Sequence, residues 1–370
     1  MRVNWLAVQD FRNYTSARLD LAPEGLTVVV GENGQGKTNL LEAIGWLATL
    51  NSFRGAPNDA LVRQDASSAF VRAEADRDGR KLTLEAEVPR SGAPRVLVNG
   101  QVLLRSRDLL GAVRVSVFSP DDLSLIKGGP AGRRQLLDDA LVALAPQHAE
   151  TIAAVDRVLR QRGALLRSSG GKATPDVVAT LDVWDSKLAE HGAALVMARR
   201  ALVARLEPVT AKAYASVAQG AATIGLRYVP SWNMPSELDE RAALHAALTA
   251  VRTDDLRRGV TTIGPHRDEL ELHIGTLPAR THASQGEQRS LALALRLAVH
   301  EAVTETTGAA PVLLLDDVFS ELDPIRSAAL LASLPPGQAV LTTAGQLPEG
   351  AEPASTVRIS GGQILGSKKT

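Results

Sequence analysis

Eight residues near the amino terminus have the types and spacing of a phosphate-binding loop. The segment Gly31-Glu-Asn-Gly-Gln-Gly-Lys-Thr38 fits the pattern G-x-x-x-x-G-K-T, in which glycines let backbone N–H groups close on the phosphates of a nucleotide. We expect Lys37 to reach the β- and γ-phosphates and Thr38 to hold Mg²⁺. The alternative is a chance glycine-rich turn. The predicted nucleotide contacts in this loop are Gly31, Glu32, Asn33, Gly34, Gln35, Gly36, Lys37 and Thr38.

The residues on either side of this loop support the nucleotide interpretation. Residues 26–30 are β-branched or apolar and predict a strand, and residues 38–44 begin a helical pattern. A strand, a glycine loop and a helix in this order place a helix N-terminus beneath a phosphate group.

Two adjacent carboxylates follow an apolar run near the carboxyl terminus. In Val312-Leu-Leu-Leu-Asp-Asp317, four apolar residues predict a buried strand that brings Asp316 to its carboxyl end, where it can hold Mg²⁺. Asp317 stands where nucleotide-sandwich ATPases usually have the glutamate that polarises the attacking water. Because aspartate is one methylene shorter, we expect slow hydrolysis. The predicted catalytic residues are Lys37, Asp316 and Asp317, and the predicted metal ligands are Thr38 and Asp316; the alternative for the two acids is an exposed turn.

The segment Ser284-Gln-Gly-Glu-Gln288 resembles the signature motif of ABC-type ATPases. In that interpretation Ser284, the backbone at Gly286 and the positive end of the following helix offer donors to the γ-phosphate of a nucleotide held by another subunit. The alternative is a helix-capping box, in which the side chains of Ser284 and Glu287 accept hydrogen bonds from each other's backbone N–H groups. Asp323 lies in a loop after the acidic strand and is expected to meet its twin across the dimer interface.

The order of the three motifs, with the interval before the second, narrows the class of protein. Thr38 and Ser284 are separated by 284 − 38 = 246 positions. A transporter ATPase subunit usually has a shorter interval and a switch histidine, which is missing near Thr342 and Thr343. A metabolic kinase would need neither Ser284-Gln-Gly-Glu nor Glu321-Leu-Asp323. A third alternative, an ATP-gated structural clamp, is compatible with the sandwich interpretation.

Composition sets limits on where and how the protein acts. The chain has 370 residues, 41 basic and 41 acidic residues and no cysteine, so disulfides and thiolate metal sites are excluded. Balanced charge means that any DNA contact must come from a local patch. No apolar run has the length of a membrane span, and no secretory signal is evident. We therefore expect a cytoplasmic protein with no membrane contact.

The remaining sequence predicts an α/β fold: an ABC-type P-loop ATPase head with an antiparallel β subdomain and an inserted helical lobe. Short strands are predicted at 3–8, 17–21, 81–88 and 113–118, with a hairpin at 95–103 around Asn99-Gly100, and together they are expected to form the antiparallel sheet. Helical spacing begins at Pro130 and continues to about residue 219, with a break at 168–175. A further helical stretch is predicted at 237–248. Core strands are expected at 268–274, 312–315 and 339–342, giving divisions of 1–129, 130–259 and 260–370.

Several segments in sequence order resemble the RecF family of bacterial recombination mediators, which are related to SMC-type ATPases. The resemblance covers nearly the whole chain. The segments that carry it are Asn33-Gly-Gln-Gly-Lys-Thr-Asn-Leu-Leu-Glu-Ala43, Ser52-Phe-Arg54, Phe118-Ser-Pro-Asp-Asp-Leu123, Arg133-Arg-Gln-Leu-Leu-Asp138, Gly264-Pro-His-Arg-Asp268 and Asp316-Asp-Val-Phe-Ser-Glu-Leu-Asp323.

This resemblance implies an ATP- and Mg²⁺-dependent, DNA-binding protein that forms a homodimer when ATP is bound and hydrolyses ATP slowly, with weak stimulation by DNA. Family members act at single-strand gaps and duplex junctions, together with RecR and RecO, and promote loading of RecA. The implied processes are DNA repair, replication restart and the SOS response.

A few further residues are assigned less directly. Arg12 resembles the early arginine that reaches the nucleotide in SMC-like ATPases; a plain surface arginine is the alternative. Thr342 or Thr343 is expected to sense the γ-phosphate. The predicted nucleotide contacts outside the loop are Arg12, Ser284, Gly286, Glu287 and Asp323. Phosphates of DNA are expected to meet a basic patch, for which solvated or structural ion pairs are the alternative; its members are Arg54, Arg63, Arg133 and Arg134.

Overall fold

The computed structural model describes residues 1–77, 79–218, 222–233, 239–345 and 347–369. Contacts divide the chain into two compact units. The first unit comprises Met1–Leu123, Val209–Ala221 and Ser284–Thr370, and the second comprises Ser124–Pro208 and Ala222–Ala283. Each unit is described separately below.

Both units combine strands and helices. The strands are β1 (Arg2–Phe11), β2 (Tyr14–Asp20), β3 (Gly25–Val30), β4 (Ser68–Arg77), β5 (Arg80–Pro89), β6 (Arg95–Val98), β7 (Gln101–Val102), β8 (Val115–Phe118), β9 (Ile224–Val229), β10 (Glu269–Ile274), β11 (Leu277–Pro278), β12 (Val312–Asp316), β13 (Gln338–Thr343), β14 (Pro353–Ser360) and β15 (Gln363–Lys369). The α-helices are α1 (Lys37–Thr49), α2 (Asn58–Leu61), α3 (Leu123–Lys127), α4 (Pro130–Leu144), α5 (His148–Ser168), α6 (Pro175–Ala218), α7 (Glu240–Arg258), α8 (Ala279–His282), α9 (Gln285–Thr307) and α10 (Pro324–Ser333).

The first unit contains an antiparallel sheet of the order β2-β1-β4-β5-β6-β7. Its strands alternate between buried and exposed side chains, as in the longest pair, β4 with β5, which is the pattern of a sheet with one covered face. The hairpin between β6 and β7 turns at Asn99 and Gly100, both with positive φ (50° and 76°), as a type I′ turn requires. The predicted hairpin at 95–103 is therefore confirmed.

A second sheet in the first unit has the order β15-β14-β3-β13-β12-β8. All its pairs are parallel except β14 with β15, and every residue of β12 and β13 is buried. The prediction that residues 113–118 join the antiparallel sheet is wrong, because β8 pairs in parallel with β12. A four-residue apolar strand does not reveal a partner almost 200 positions later in the chain.

Helices cover this parallel sheet within the first unit. Leu41 and Ile44 of α1 belong to one apolar core with Leu6 of the antiparallel sheet and Leu314 of β12. A separate core contains Leu293 of α9 and inward-facing residues of β3, β12 and β13. The ends of several parallel strands are thereby fixed at one edge of the sheet, which is where open α/β sheets bind ligands.

The second unit is mostly helical and contains a small antiparallel sheet of the order β11-β10-β9. The break at 168–175 is confirmed, since α5 ends at Ser168 and α6 begins at Pro175. A buried Arg162 donates to Asp185 and to Asp255, each at 2.7 Å, and joins three helices of the unit. The predicted helical stretch at 237–248 is part of α7; residues 234–238, like residue 219, lie outside the described residues.

The contacts divide the chain differently from the predicted boundaries of 129/130 and 259/260. Residues 260–283 lie in the second unit, because β10 pairs with β9 and not with the parallel sheet. The alternation of 268–274 predicts a strand correctly but does not specify its neighbour. Helix α6 crosses the division, and its residues from Val209 onward lie in the first unit. Within the described residues, no helix has the length and apolar character of a membrane span.

The folded protein is expected to lose stability in mild acid, because two of its histidines, His266 and His300, are enclosed. Burial lowers the pKa of His266 and of His300 to about 4, from 6.5. Because the unfolded chain binds these protons first, unfolding becomes easier as the pH falls from 6.5 towards 4.

Replacement of His300 by Asn keeps a polar group near Ser116 Oγ, to which its Nδ1 is bonded at 2.9 Å. We expect His300→Asn to flatten the pH dependence by about 1 kcal/mol between pH 7 and pH 5.5. Urea unfolding of both proteins across this range measures the effect, and parallel curves would contradict it.

Candidate nucleotide site

The phosphate-binding loop follows β3 and ends where α1 begins, as its sequence predicts. Gly36 has φ 104°, and a Cβ there would lie 2.6 Å from the Asn13 side chain and 2.9 Å from the Tyr14 hydroxyl. At Gly31 a Cβ would lie 2.5 Å from the carbonyl oxygen of Ile359. Both glycines are therefore required by close contacts within the protein as well as by the expected phosphates.

Two residues at the start of β2, Asn13 just before the strand and Tyr14 as its first residue, hold the loop in shape. Asn13 Nδ2 donates to the carbonyl of Gln35 at 3.1 Å, and the Tyr14 hydroxyl donates to the carbonyl of Gly36 at 3.1 Å. Burial raises the pKa of Tyr14, so this hydroxyl remains a donor at neutral pH. Sequence analysis singled out this segment for Arg12 but missed these two neighbours.

The Lys37 ammonium lies against the loop that it is expected to serve. Its Nζ donates to the carbonyls of Gly31 and Glu32, at 2.6 and 2.7 Å. Burial lowers the pKa of Lys37, while the charges of Asp317 and Asp316 act in the opposite direction. The lysine predicted for phosphate binding is thus close enough to both predicted acids to interact with their charge.

Asp316 connects the acidic strand with the start of α1. Its Oδ1 accepts hydrogen bonds from Thr38 Oγ1 at 2.8 Å and from Thr342 Oγ1 at 2.7 Å. Burial raises the pKa of Asp316, and these two hydrogen bonds act against the rise. The structure therefore brings the two predicted metal ligands together and adds Thr342, which is fully buried.

The residues at this point fit Mg²⁺. A hydroxyl and a buried carboxylate are oxygen ligands of the kind that Mg²⁺ takes, usually with nucleotide oxygens and water completing the shell. The positive charge of Mg²⁺ would also offset the free-energy cost of burying the Asp316 carboxylate. Across the described ranges no group of three or more His, Cys, Asp or Glu residues could hold a metal, so Thr38 and Asp316 would need the nucleotide as a further ligand.

Asp317 adopts an uncommon backbone conformation directly after the strand. Its φ is 47°, in the left-handed region that aspartate and asparagine tolerate better than most residues. Its N–H donates to the Thr342 carbonyl at 3.1 Å and to Thr342 Oγ1 at 3.0 Å. Its Oδ1 is buried and has no hydrogen-bond partner among the described residues. A carboxylate oxygen held in this way is suited to accept a proton.

Two arginines with predicted ligand contacts lie near this site: Arg12, predicted to contact the nucleotide, and Arg54, predicted to contact DNA. Arg12 donates to both carboxylate oxygens of the fully buried Glu42, at 2.8 and 2.6 Å, and to the carbonyl of Ala60. These bonds use three of the five guanidinium N–H groups of Arg12, and a phosphate contact by Arg12 stays a prediction. Arg54 is exposed, and its charge acts to lower the pKa of Asp316. Arg54, which the sequence predicts as a DNA contact, is thus near enough to Asp316 to interact with its charge.

The other predicted DNA contacts are engaged within the protein. Arg63 is half-buried and pairs with Asp10 at 2.7 Å. Arg133 is only 4% exposed and donates to Glu269 and to the carbonyls of Leu125 and Gly128. These contacts enclose the Arg133 guanidinium within the protein and do not support a DNA contact there, so the assignment of Arg133 to the DNA patch stays a prediction.

The remaining arginine of the predicted patch, Arg134, is half-buried and donates to the carbonyl of Asp268 at 2.8 Å. Asp268 also accepts from the Tyr228 hydroxyl and from the Ser231 N–H. The Gly264-Pro-His-Arg-Asp268 segment thus anchors the fold of the second unit. His266 contributes a ring contact to the Thr261 carbonyl at 3.1 Å.

The predicted signature motif forms the first turn of α9 in the first unit. Ser284 Oγ accepts from the Glu287 N–H at 3.3 Å, and Glu287 Oε2 accepts from the Ser284 N–H at 2.7 Å. The capping box named as an alternative is therefore present. Asp323 caps α10 by accepting from the N–H of Arg326 at 2.9 Å; nothing is described of the Glu321 side chain, which lies outside the described set.

Comparisons with known proteins give the same family and fold class as the sequence predicts. Residues 2–340 match the family model described as RecF/RecN/SMC N terminal domain. The DNA replication and repair protein RecF of Frankia alni is 47% identical over 357 residues, covering 93% of each chain. The protein of the same name from Streptomyces avermitilis is 45% identical over 354 residues, again covering 93% of both.

Solved structures give the same result. The recombination mediator protein RecF–ATP of the RecFOR pathway has a TM-score of 0.88 and 31% identity, covering 100% of this chain and 99% of its own. An SMC head bound to the C-terminal winged-helix domain of ScpA has a TM-score of 0.57 and 16% identity, and it covers 100% of this chain and 98% of its own; it shares the fold. The predicted fold class of an ABC-type ATPase head is confirmed. The chain belongs to the RecF family.

Proposed function

We propose that this chain is a slow ATPase that closes into a homodimer when ATP is bound and holds DNA in that state. The observation that carries the proposal is the pair Thr38–Asp316, at 2.8 Å, beside Lys37 and the unpartnered Oδ1 of Asp317. Within one site these residues supply a cation for the phosphates (Lys37), two metal ligands (Thr38 and Asp316) and a base (Asp317). The signature turn at Ser284 would serve the nucleotide of the partner subunit.

The chemistry at this site follows from the contacts of each residue. Lys37 would exchange its bonds to the Gly31 and Glu32 carbonyls for phosphate oxygens. Thr38 and Asp316 would hold Mg²⁺, which would supply positive charge that offsets the phosphates. Asp317 accepts the proton of the attacking water, and its position is fixed by Thr342. Because its carboxylate reaches one methylene less far than glutamate, turnover is slow and the ATP-bound dimer is long-lived.

The DNA-related part of the proposal comes from the relatives. Those relatives are DNA replication and repair proteins named RecF, and one solved structure belongs to the RecFOR pathway. We propose the same role for this chain: a cytoplasmic mediator that acts at single-strand gaps and duplex junctions. With RecR and RecO it would promote loading of RecA in repair, replication restart and the SOS response, and DNA would weakly stimulate its ATPase.

The DNA surface must be local, because basic and acidic residues balance at 41 each. Of the four predicted arginines, Arg54 is the exposed one, and we propose that it acts at the nucleotide as well; Arg63 and Arg134 are half-buried and would contribute to the DNA surface through their exposed parts. Contacts to phosphate would make binding insensitive to sequence and sensitive to salt.

Sedimentation velocity with and without ATP and duplex DNA tests this function. The proposal expects a species of twice the monomer mass with ATP and Mg²⁺, which takes up DNA, and a monomer with ADP. A monomer under all conditions that does not bind DNA would overturn the proposal and favour another nucleotide-dependent role.

A further inference from the structure

The guanidinium of Arg326 lies flat against the signature turn of its own chain. A Cβ placed on Gly286 would lie 2.8 Å from Arg326 Nη2 and 2.9 Å from both Cζ and Nη1. Since all three atoms are nearly equidistant, the plane of the guanidinium faces the Gly286 backbone. Only glycine leaves this space, and any larger residue would push the guanidinium away because it is the end of a flexible side chain.

The same guanidinium is bonded to the loop that follows the acidic strand. Arg326 Nη1 donates to Asp323 Oδ2 at 2.6 Å, while the N–H of Arg326 donates to Asp323 Oδ1 at 2.9 Å. One side chain therefore touches both Gly286 and Asp323. The sequence predicts both of these residues at the interface between subunits, where the proposed function places the shared nucleotide.

The positive charge at this turn is offset by nearby carboxylates. The N-terminus of α9 carries partial positive charge from its helix dipole, and Arg326 adds a full positive charge there. Asp323, 2.6 Å from the guanidinium, and Glu287 in the first turn offset this positive charge. Tyr214, on the part of α6 that lies in the first unit, has its pKa raised by burial; the charge of Glu287 adds to this rise and the charge of Arg326 opposes it. The turn is thus a compact charged cluster in which Arg326 is central.

We propose that Arg326 is a positioning residue for the shared nucleotide, which holds Asp323 and the signature turn as one unit, and that residue 286 is glycine in order to admit its guanidinium. This inference rests on the proposed function, because the unit is useful only where two subunits meet across ATP. The role is carried by geometry within one chain. The proposal therefore predicts that Arg326 and Gly286 are energetically coupled, which neither sequence segment alone would suggest.

The first arm of the test measures dimerisation. We expect Arg326→Ala to weaken ATP-dependent dimerisation at least about tenfold, since a charge-assisted hydrogen bond is lost, with ATP binding to the monomer unchanged. Arg326→Lys should restore only part of the loss, because an ammonium lacks the planar fork. Arg95→Ala, at an exposed position of β6, is the matched control and should behave as wild type.

The second arm asks whether Gly286 acts through Arg326. Gly286→Ala should weaken dimerisation as Arg326→Ala does, and the double variant should be no worse than either single variant. Thermal unfolding gives a readout independent of ATP: Gly286→Ala should raise the midpoint in the Arg326→Ala background, where alanine is the better helix former, but not in wild type.

Each outcome discriminates. Normal dimerisation of Arg326→Ala, or additive effects of the two substitutions, would overturn the inference. If wild type itself stays monomeric with ATP, the proposed function fails, whereas the unfolding cycle still reports whether Arg326 and Gly286 are coupled.

Discussion

Asp317→Asn is expected to reduce ATP turnover by at least about 100-fold, while ATP binding and ATP-dependent dimerisation persist. Asparagine has nearly the same shape and tolerates the left-handed backbone at this position, where φ is 47°. Its N–H can keep both bonds to Thr342. The amide cannot accept the proton of the attacking water, so only the chemical step is lost.

Phosphate release under single-turnover conditions measures this change directly, and sedimentation with ATP reports the dimer. DNA should remain bound to the Asp317→Asn dimer for longer than to wild type, because opening depends on hydrolysis. Asp20→Asn, an exposed carboxylate on β2, is the matched control. Turnover within twofold of wild type would show that Asp317 is not the base.

Ser284→Arg is expected to abolish ATP-dependent dimerisation and to lower turnover by about 100-fold or more, with ATP binding to the monomer intact. The arginine removes the Ser284 hydroxyl and fills the space in front of the first turn of α9. It also breaks the capping box with Glu287, which costs about 1 kcal/mol of stability. A loss of that size should leave the chain folded.

Ser284→Thr serves as the conservative control, since it keeps both the hydroxyl and the cap. Equilibrium binding of a fluorescent ATP analogue separates nucleotide affinity from association of subunits, and circular dichroism checks the fold. If Ser284→Arg formed the ATP dimer as wild type does, Ser284 would be a helix cap without a role in the shared site.

The local parts of the site could be predicted from sequence because their chemistry is local. The phosphate loop, the strand that ends at Asp316 and the cap at Ser284 each depend on residues within one short segment. Their spacing reports backbone geometry directly. For the same reason the break before Pro175 and the turn at Asn99 were predicted correctly.

The parts that could not be predicted depend on long-range contacts. Strand β8 pairs with β12, and β10 with β9, because of neighbours that a period-two pattern does not specify. Arg133 is enclosed by Glu269, 136 positions away, although its own neighbours suggest an exposed helix. The sequence predicts Thr342 as a γ-phosphate sensor, but its bond to Asp316, like the bond from Asn13 to Gln35, joins two different elements and gave no local signal.

Complementation between two defective variants tests the shared nucleotide site most directly. Lys37→Ala lacks a working phosphate loop, and Ser284→Arg lacks a working signature turn, so each should be inactive alone. In the mixed dimer, one nucleotide is held by the intact Lys37 of one chain and the intact Ser284 of its partner. We predict that mixing restores ATP-dependent dimerisation and up to half of the wild-type turnover per dimer. If the mixture stays as inactive as its components, the nucleotide is not shared between subunits and the account is contradicted.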